Sequence, residues 1–263
     1  MSAAVKILKY EMKHVVRGRA VLGYALFFAA LTFGLLHFGG GLERTLPSLA
    51  SVVLLAVPLV SLVVGTVFIY EGRDFVELVL SHPVGRRPLF AGLWGGVTLP
   101  LAAAFLAGTG APLFFVFGVP AGMAAPVALV LGAGVLLTAV FTALAFVVAV
   151  VVPETAKGLG AALLLWLTLT VVYDGLVMLV ASVYAAHPLE RPMLALMLLN
   201  PVDLARVLVL MALDASALMG YTGAVFQRFF GSGFGMAASV ASLVAWIALP
   251  LALAERRFRR MDM

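Results

Sequence analysis

Apolar residues gather in six long runs, at roughly Ala20–Phe38, Leu49–Tyr70, Leu89–Phe117, Ala124–Val152, Leu159–Ala185 and Phe234–Ala254. An α-helix rises about 1.5 Å per residue, so about 20 such residues cross the roughly 30 Å of bilayer hydrocarbon. The pattern predicts an all-α integral membrane protein with six transmembrane helices. Pro58, Pro100, Pro112 and Pro126 fall inside these runs or near their starts. Each removes a backbone donor and is expected to kink its helix, which a lipid-embedded bundle tolerates.

Composition strengthens this reading. Of the 263 residues, 64% are hydrophobic and 11% charged, against about 45–50% and about 25% in ordinary soluble domains. A soluble fold cannot hide so much apolar surface, because accessible area falls too slowly with size. The first run follows a basic stretch, as a signal peptide would. It is too long for a signal core, however, and no small-residue cleavage site closes it before Gly39–Gly41, so it reads as a retained helix. With no cysteine, disulfides, zinc–thiolate sites and thiol nucleophiles are excluded.

The net charge of +5 could suggest nucleic acid, but the cations flank the apolar runs and point to membrane orientation instead. If the amino terminus is cytoplasmic, only Arg44, Arg191, Arg206 and Arg228 of the 17 Lys and Arg residues fall outside. An even number of spans then places both basic termini in the cytoplasm. The single domain, 1–263, divides into a cytoplasmic interfacial helix at 2–19, a cytoplasmic loop at 71–88 and an extracytoplasmic segment at 186–233. In the first of these, Val5, Leu8, Met12, Val15 and Val16 share one helical face, with Lys6, Lys9, Lys13 and Arg17 on its flank. Such a helix suits the inner interface, its cations among lipid phosphates.

The outer segment contains Asn200-Pro201-Val202-Asp203, a helix-start pattern of N-cap, first-position proline and first-turn acid. The apolar stretch after it is too short to span, so two short helices are expected. They cover Met193 to Asn200 and Val202 to Leu213, broken at Asn-Pro and interfacial or re-entrant.

Candidate chemistry is sparse. The chain has no phosphate-binding loop of the Gly-x-x-x-x-Gly-Lys-Ser/Thr type and no His-Glu-x-x-His zinc motif. Tyr173-Asp174 resembles half of an intramembrane aspartyl protease site. That chemistry needs two carboxylates, and GSGF near Gly231 stands where the second motif would be sought. Asp174 is the clear acid deep in a run, and it must face protein or water rather than lipid. It reads either as a gating residue or as a structural hydrogen-bond acceptor, with Thr170 as one candidate partner.

The most charged inner stretch is YEGRDFVELVLSHPVGRRP, with Glu71, Arg73, Asp74, Glu77, Arg86 and Arg87 around an apolar face of Phe75, Leu78 and Val79. A short surface helix, ended before Pro83, fits these residues. The run Glu77-Leu78, then Leu80-Ser81-His82-Pro83-Val84-Gly85-Arg86, resembles the signature of exporter-type (ABC-2-like) ABC transporter permeases. ETAKGLGAALLLWLTLTVVYDGL and LMLLNPVDLARVLVL are similar to the permeases of the transporter that matures nitrous oxide reductase.

This resemblance implies that Glu71, Arg73, Asp74, Glu77, Leu78, Ser81, Pro83 and Arg86 form a coupling helix against an ATPase. It implies a homodimer, a cytoplasmic ABC ATPase (NosF-like) carrying ATP and Mg, and a periplasmic protein (NosD-like) resting on the outer segment. Asn200, Asp203 and Arg206 are the candidate contacts for that outer partner. No catalytic residue and no cofactor is expected in this chain, which is not itself an enzyme, and no nucleic acid is expected as a partner. Copper maturation makes outside thioether and imidazole ligands relevant. His187, Met193 and Met197 are the best cluster, although methionine also simply fills apolar gaps. Other readings are an exporter of a lipid, drug or peptide and, from a different class, a membrane enzyme or scaffold.

Overall fold

A computed structural model describes residues 18–80, 85–184, 190–213 and 233–259, and every regular element among them is helical. The expected interfacial helix at 2–19 lies almost wholly outside the described residues, as do Ser81, His82, Pro83 and His187. Among the described residues, six helical stretches are long and apolar enough to cross a membrane. They are α1 (Arg19–Phe38), α2 (Leu42–Glu71), α4 (Arg86–Ala111, prolonged by a π turn to Phe117), α5 (Ala124–Val151), the pair α6 (Thr155–Leu167) and α7 (Tyr173–Val183) joined by a π turn, and α10 (Gly233–Phe258). A short α3 (Arg73–Leu80) follows α2, and α8 (Glu190–Leu199) and α9 (Pro201–Ala212) precede α10.

The second span starts earlier than its apolar run suggests, at Leu42 rather than near Leu49. Gly40 and Gly41, at φ +76° and +123°, turn the chain tightly out of α1. Only glycine takes such angles without strain. Glu43 in the first turn favours the helix dipole, and Pro47 is carried inside the helix. Pro58, Pro100 and Pro250 also lie within continuous helices. Pro58 deprives the Leu54 carbonyl of its donor, and next to this opening Trp166 Nε1 donates to the Leu55 carbonyl at 3.2 Å.

The fourth span, α5, is the hub, packing on α2, α4, α6, α9 and α10. Small residues allow these approaches, as expected where helices gain little from leaving lipid and must fit closely. A Cβ on Gly65 of α2 would come within 2.9 Å of Ala145 Cβ, and one on Gly134 would run into the Phe105 ring. Phe105 in turn meets Phe28 of α1 edge to face at 5.1 Å. Part of this interior is hydrogen-bonded, with Trp94 Nε1 donating to Thr142 Oγ1 at 3.2 Å and Thr98 and Thr142 paired at 2.8 Å. The buried hydroxyls of Tyr24, Thr32, Ser61 and Thr109, by contrast, have no partner among the described residues.

Long-range contacts define the two ends of the bundle. Tyr70, closing α2, donates to the Val152 carbonyl just after α5 at 2.6 Å. Arg86, opening α4, donates to the Phe258 and Arg259 carbonyls at 3.2 and 2.9 Å. The Phe33 and Phe117 rings, 5.7 Å apart, bring the far ends of α1 and α4 together. Alternation of the six spans therefore puts the start of α1 and the end of α10 at one end of the bundle, beside α3.

Candidate functional site

The elbow between α8 and α9, bent by 111°, is where the polar groups of the bundle interior concentrate. Two helices that stop inside a membrane leave carbonyls and amides with no water to meet. Here each is met. At the end of α8, Tyr173 Oη donates to the Leu196 carbonyl (2.7 Å), the Asn200 amide to the Met197 carbonyl (3.4 Å) and Ser242 Oγ to the Leu198 carbonyl (2.7 Å). At the start of α9, Asn200 Oδ1 accepts from Val202 N at 3.0 Å, and Pro201 has no amide to satisfy.

Asn200 Nδ2 donates to the Leu169 carbonyl (2.7 Å), inside the π turn Thr168–Val172, and to Asp203 Oδ2 (3.0 Å). A π turn loosens the ordinary backbone ladder and is frequent at functional positions. Arg206 closes the network. Its Nη1 lies 2.7 Å from both oxygens of Asp174 and 3.0 Å from Asp203 Oδ1. One guanidinium thus faces two carboxylates, and the positive N-terminal end of α9 lies beside Asp203.

The same bonds fix how the pair sits. Leu196 lies level with Tyr173 and Asn200 level with Leu169, so α8 descends along the fifth span. Arg206 meets Asp174, five residues back toward the far end, so α9 climbs out again. The two helices are bent by 111°, with the break at the Asn-Pro that the sequence marks.

Asn200, Asp203 and Arg206 are read in the sequence as contacts for an outside partner. In the structure Asn200 and Asp203 are 0% and 1% exposed, and their polar atoms are taken up within the chain. Arg206 is about a third exposed. Asp174 binds not the backbone or Thr170, whose hydroxyl goes to the Trp166 carbonyl, but Arg206. No local pattern links two residues 32 apart. The available signals were an acid inside a span and an arginine inside an apolar stretch too short to span.

Met193 is buried against Val177, Leu204, Val207 and Leu243, and Met197 packs on the same cluster. Among the described residues no group of three or more His, Asp or Glu side chains is placed to hold a metal.

At the other end, α3 hangs from α2 through Gly72, whose amide still bonds the Phe68 carbonyl (3.0 Å) while its carbonyl receives Val76 N (3.0 Å). Val76 is buried and anchors the helix over a cavity of about 160 Å³ between Ile69, Phe90, Phe146 and Phe258. Glu71, Asp74, Glu77 and Leu78 face outward. The apolar anchor is thus Val76, with Val79 partly buried on it, and Leu78 is 63% exposed.

Arg73 lies over the Tyr70 ring at 4.7 Å, a cation–π contact that steadies the joint. Tyr70 leans on Gly158, where a Cβ would collide with its hydroxyl. Arg86 is engaged with the last carbonyls of α10, and Arg87 pairs with Glu255 at 2.9 Å.

The chain is a six-span bundle with one short charged helix slung from its second span, and residues 5–263 match the model of the ABC-2 family transporter proteins. The chain belongs to that family and is an ABC transporter permease subunit, a multi-pass protein of the bacterial inner membrane. Two relatives carry the name "Probable ABC transporter permease protein NosY". The one from Pseudomonas aeruginosa is 30% identical over 272 residues, covering 97% of each chain. The one from Stutzerimonas stutzeri is 31% identical over 280 residues, covering 99% of each.

Proposed function

We propose that the chain serves the maturation of the copper sites of nitrous oxide reductase, acting as a homodimer that carries motion from a cytoplasmic ABC ATPase (NosF-like) to a periplasmic partner (NosD-like). The observation that carries this is the similarity to NosY permeases along nearly the whole chain. In this reading ATP and Mg bind the ATPase, and its groove receives α3. Glu71, Asp74, Glu77 and Leu78 offer it an outward charged and apolar face, while Val76 and the Arg73–Tyr70 contact seat the helix on the bundle. The span formed by α6 and α7 is the least buried of the six, which suits a second copy of the chain.

The described spans carry few polar side chains, and those at the elbow are bonded to one another. This favours transmission of movement over a wide hydrophilic path. Met193 and Met197 are engaged in packing, so copper handling falls mainly to the partners. Cu(I) titration of the purified chain and of its His187, Met193 and Met197 alanine variants tests that division. Specific binding lost in those variants would give the chain a direct role in handling copper.

Co-expression with an ATPase encoded beside it is the broader test. The two are expected to purify together from membranes. Persistent failure to do so, with both well expressed, would remove the assignment of α3.

A further inference from the structure

A second cavity, about 440 Å³, opens on the side of the bundle between α5, the α8–α9 elbow and α10. Its walls are Leu144 and Val147 of α5, Leu198 and Leu199 of the elbow, and a stripe of α10. Ser242 is the one hydroxyl among its lining residues, and it is already bonded to the Leu198 carbonyl. Apart from the Trp246 indole N–H, the groove offers a guest apolar contact along its length.

The stripe on α10 consists of Ser242, Ala245, Trp246, Leu249, Pro250 and Leu253. These positions recur at helical spacing, and the same periodicity next reaches Arg256 and Arg257. Both arginines are exposed, whereas Arg86 and Arg87 engage the end of α10 through Phe258, Arg259 and Glu255. From Ser242 to Leu253 the helix rises roughly 16 Å, about half the hydrocarbon thickness. An apolar slot one leaflet deep thus leads to two cations at the membrane surface.

We propose that this groove holds one acyl chain of an anionic phospholipid from the leaflet in which α10 ends, with the lipid phosphate on Arg256 and Arg257. The charge at the mouth selects an anionic lipid over a zwitterionic one, since each basic residue near the surface adds about 1 kcal/mol. The length and polarity of the slot match a single chain. Seated against Leu198 and Leu199, the chain would brace the bend between α8 and α9.

The test uses the full chain in nanodiscs of equal phosphatidylglycerol and phosphatidylcholine, released into the gas phase for native mass spectrometry. Wild type is expected to retain phosphatidylglycerol at least about tenfold over phosphatidylcholine. Arg256→Gln with Arg257→Gln should abolish the preference. Ala245→Trp keeps both arginines but fills the slot, and should lose retained lipid of either kind while eluting as a single species.

Retention of phosphatidylglycerol by Ala245→Trp at the wild-type level would overturn the proposal, as would equal retention of the two lipids by wild type. Because the chain has no cysteine, Leu249→Cys provides one defined thiol. Efficient cross-linking of two copies through it would make the groove a protein interface and equally overturn the proposal.

Discussion

The elbow and the charged end of the bundle use polar side chains for different purposes. At the charged end, Arg86 and Arg87 finish or brace helices whose backbone bonds are already formed, and their partners are end carbonyls or a partly exposed carboxylate. At the elbow, Asn200, Asp203, Arg206, Tyr173 and Ser242 allow two helices to end inside the membrane. Loss of a contact of the first kind returns its groups to water. Loss of one of the second strands a charge or a carbonyl in a medium without donors. The elbow should accordingly be intolerant of change, and the solvent-facing ion pairs of the charged end tolerant of it.

The sharpest way to break this contrast is Arg206→Met, which leaves Asp174 and Asp203 without their cation. A loss of about 3 kcal/mol is expected, read as a large drop in detergent melting temperature. Asp174→Asn added to Arg206→Met should restore part of it, because the pair fails mainly through the stranded charge. If the single variant melts like wild type, the elbow is not held by this network.

Gly158→Ala should rank next. The added methyl displaces the Tyr70 ring and its bond to Val152, an overpacking cost of about 1–3 kcal/mol. Tyr70→Leu in the same background should recover much of it by vacating the space. Asn200→Ala removes the cap of α9 and the bond to Leu169, and should cost about 1–2 kcal/mol. Hydrogen exchange should then rise in α9 ahead of the spans. Glu255→Gln, which breaks an ion pair with Arg87 on the exposed side, should change stability by less than about 1 kcal/mol. A larger effect there would erase the distinction between the two regions.

Much of this architecture is written in local pattern. The six spans follow from run length, and the break between α8 and α9 from Asn200-Pro201, whose cap forms as the residue types require. The early start of α2 was hidden because Glu43, Arg44, Thr45 and Ser48 interrupt the apolar pattern there, so the run seems to begin near Leu49.

The partners of Asp174, Tyr70 and Gly158 were not legible. Each lies across the bundle, and periodicity along one helix reports which face is apolar without saying which neighbour covers it. The placement of Asn200 and Asp203 illustrates the same limit. Their polarity was read as facing outward to a partner, whereas helix ends within a membrane draw such residues inward.

The central claim is that α3 receives the ATPase and passes its movement to the bundle. The direct measurement is ATP hydrolysis by the purified complex of this chain with its ATPase, comparing wild type with Glu77→Arg, a reversal on the exposed face of α3, at the rim of the cavity beneath that helix and away from the elbow. The account predicts normal insertion and melting of the variant chain, with hydrolysis falling to the level of the free ATPase. Wild-type hydrolysis in an intact Glu77→Arg complex would contradict it.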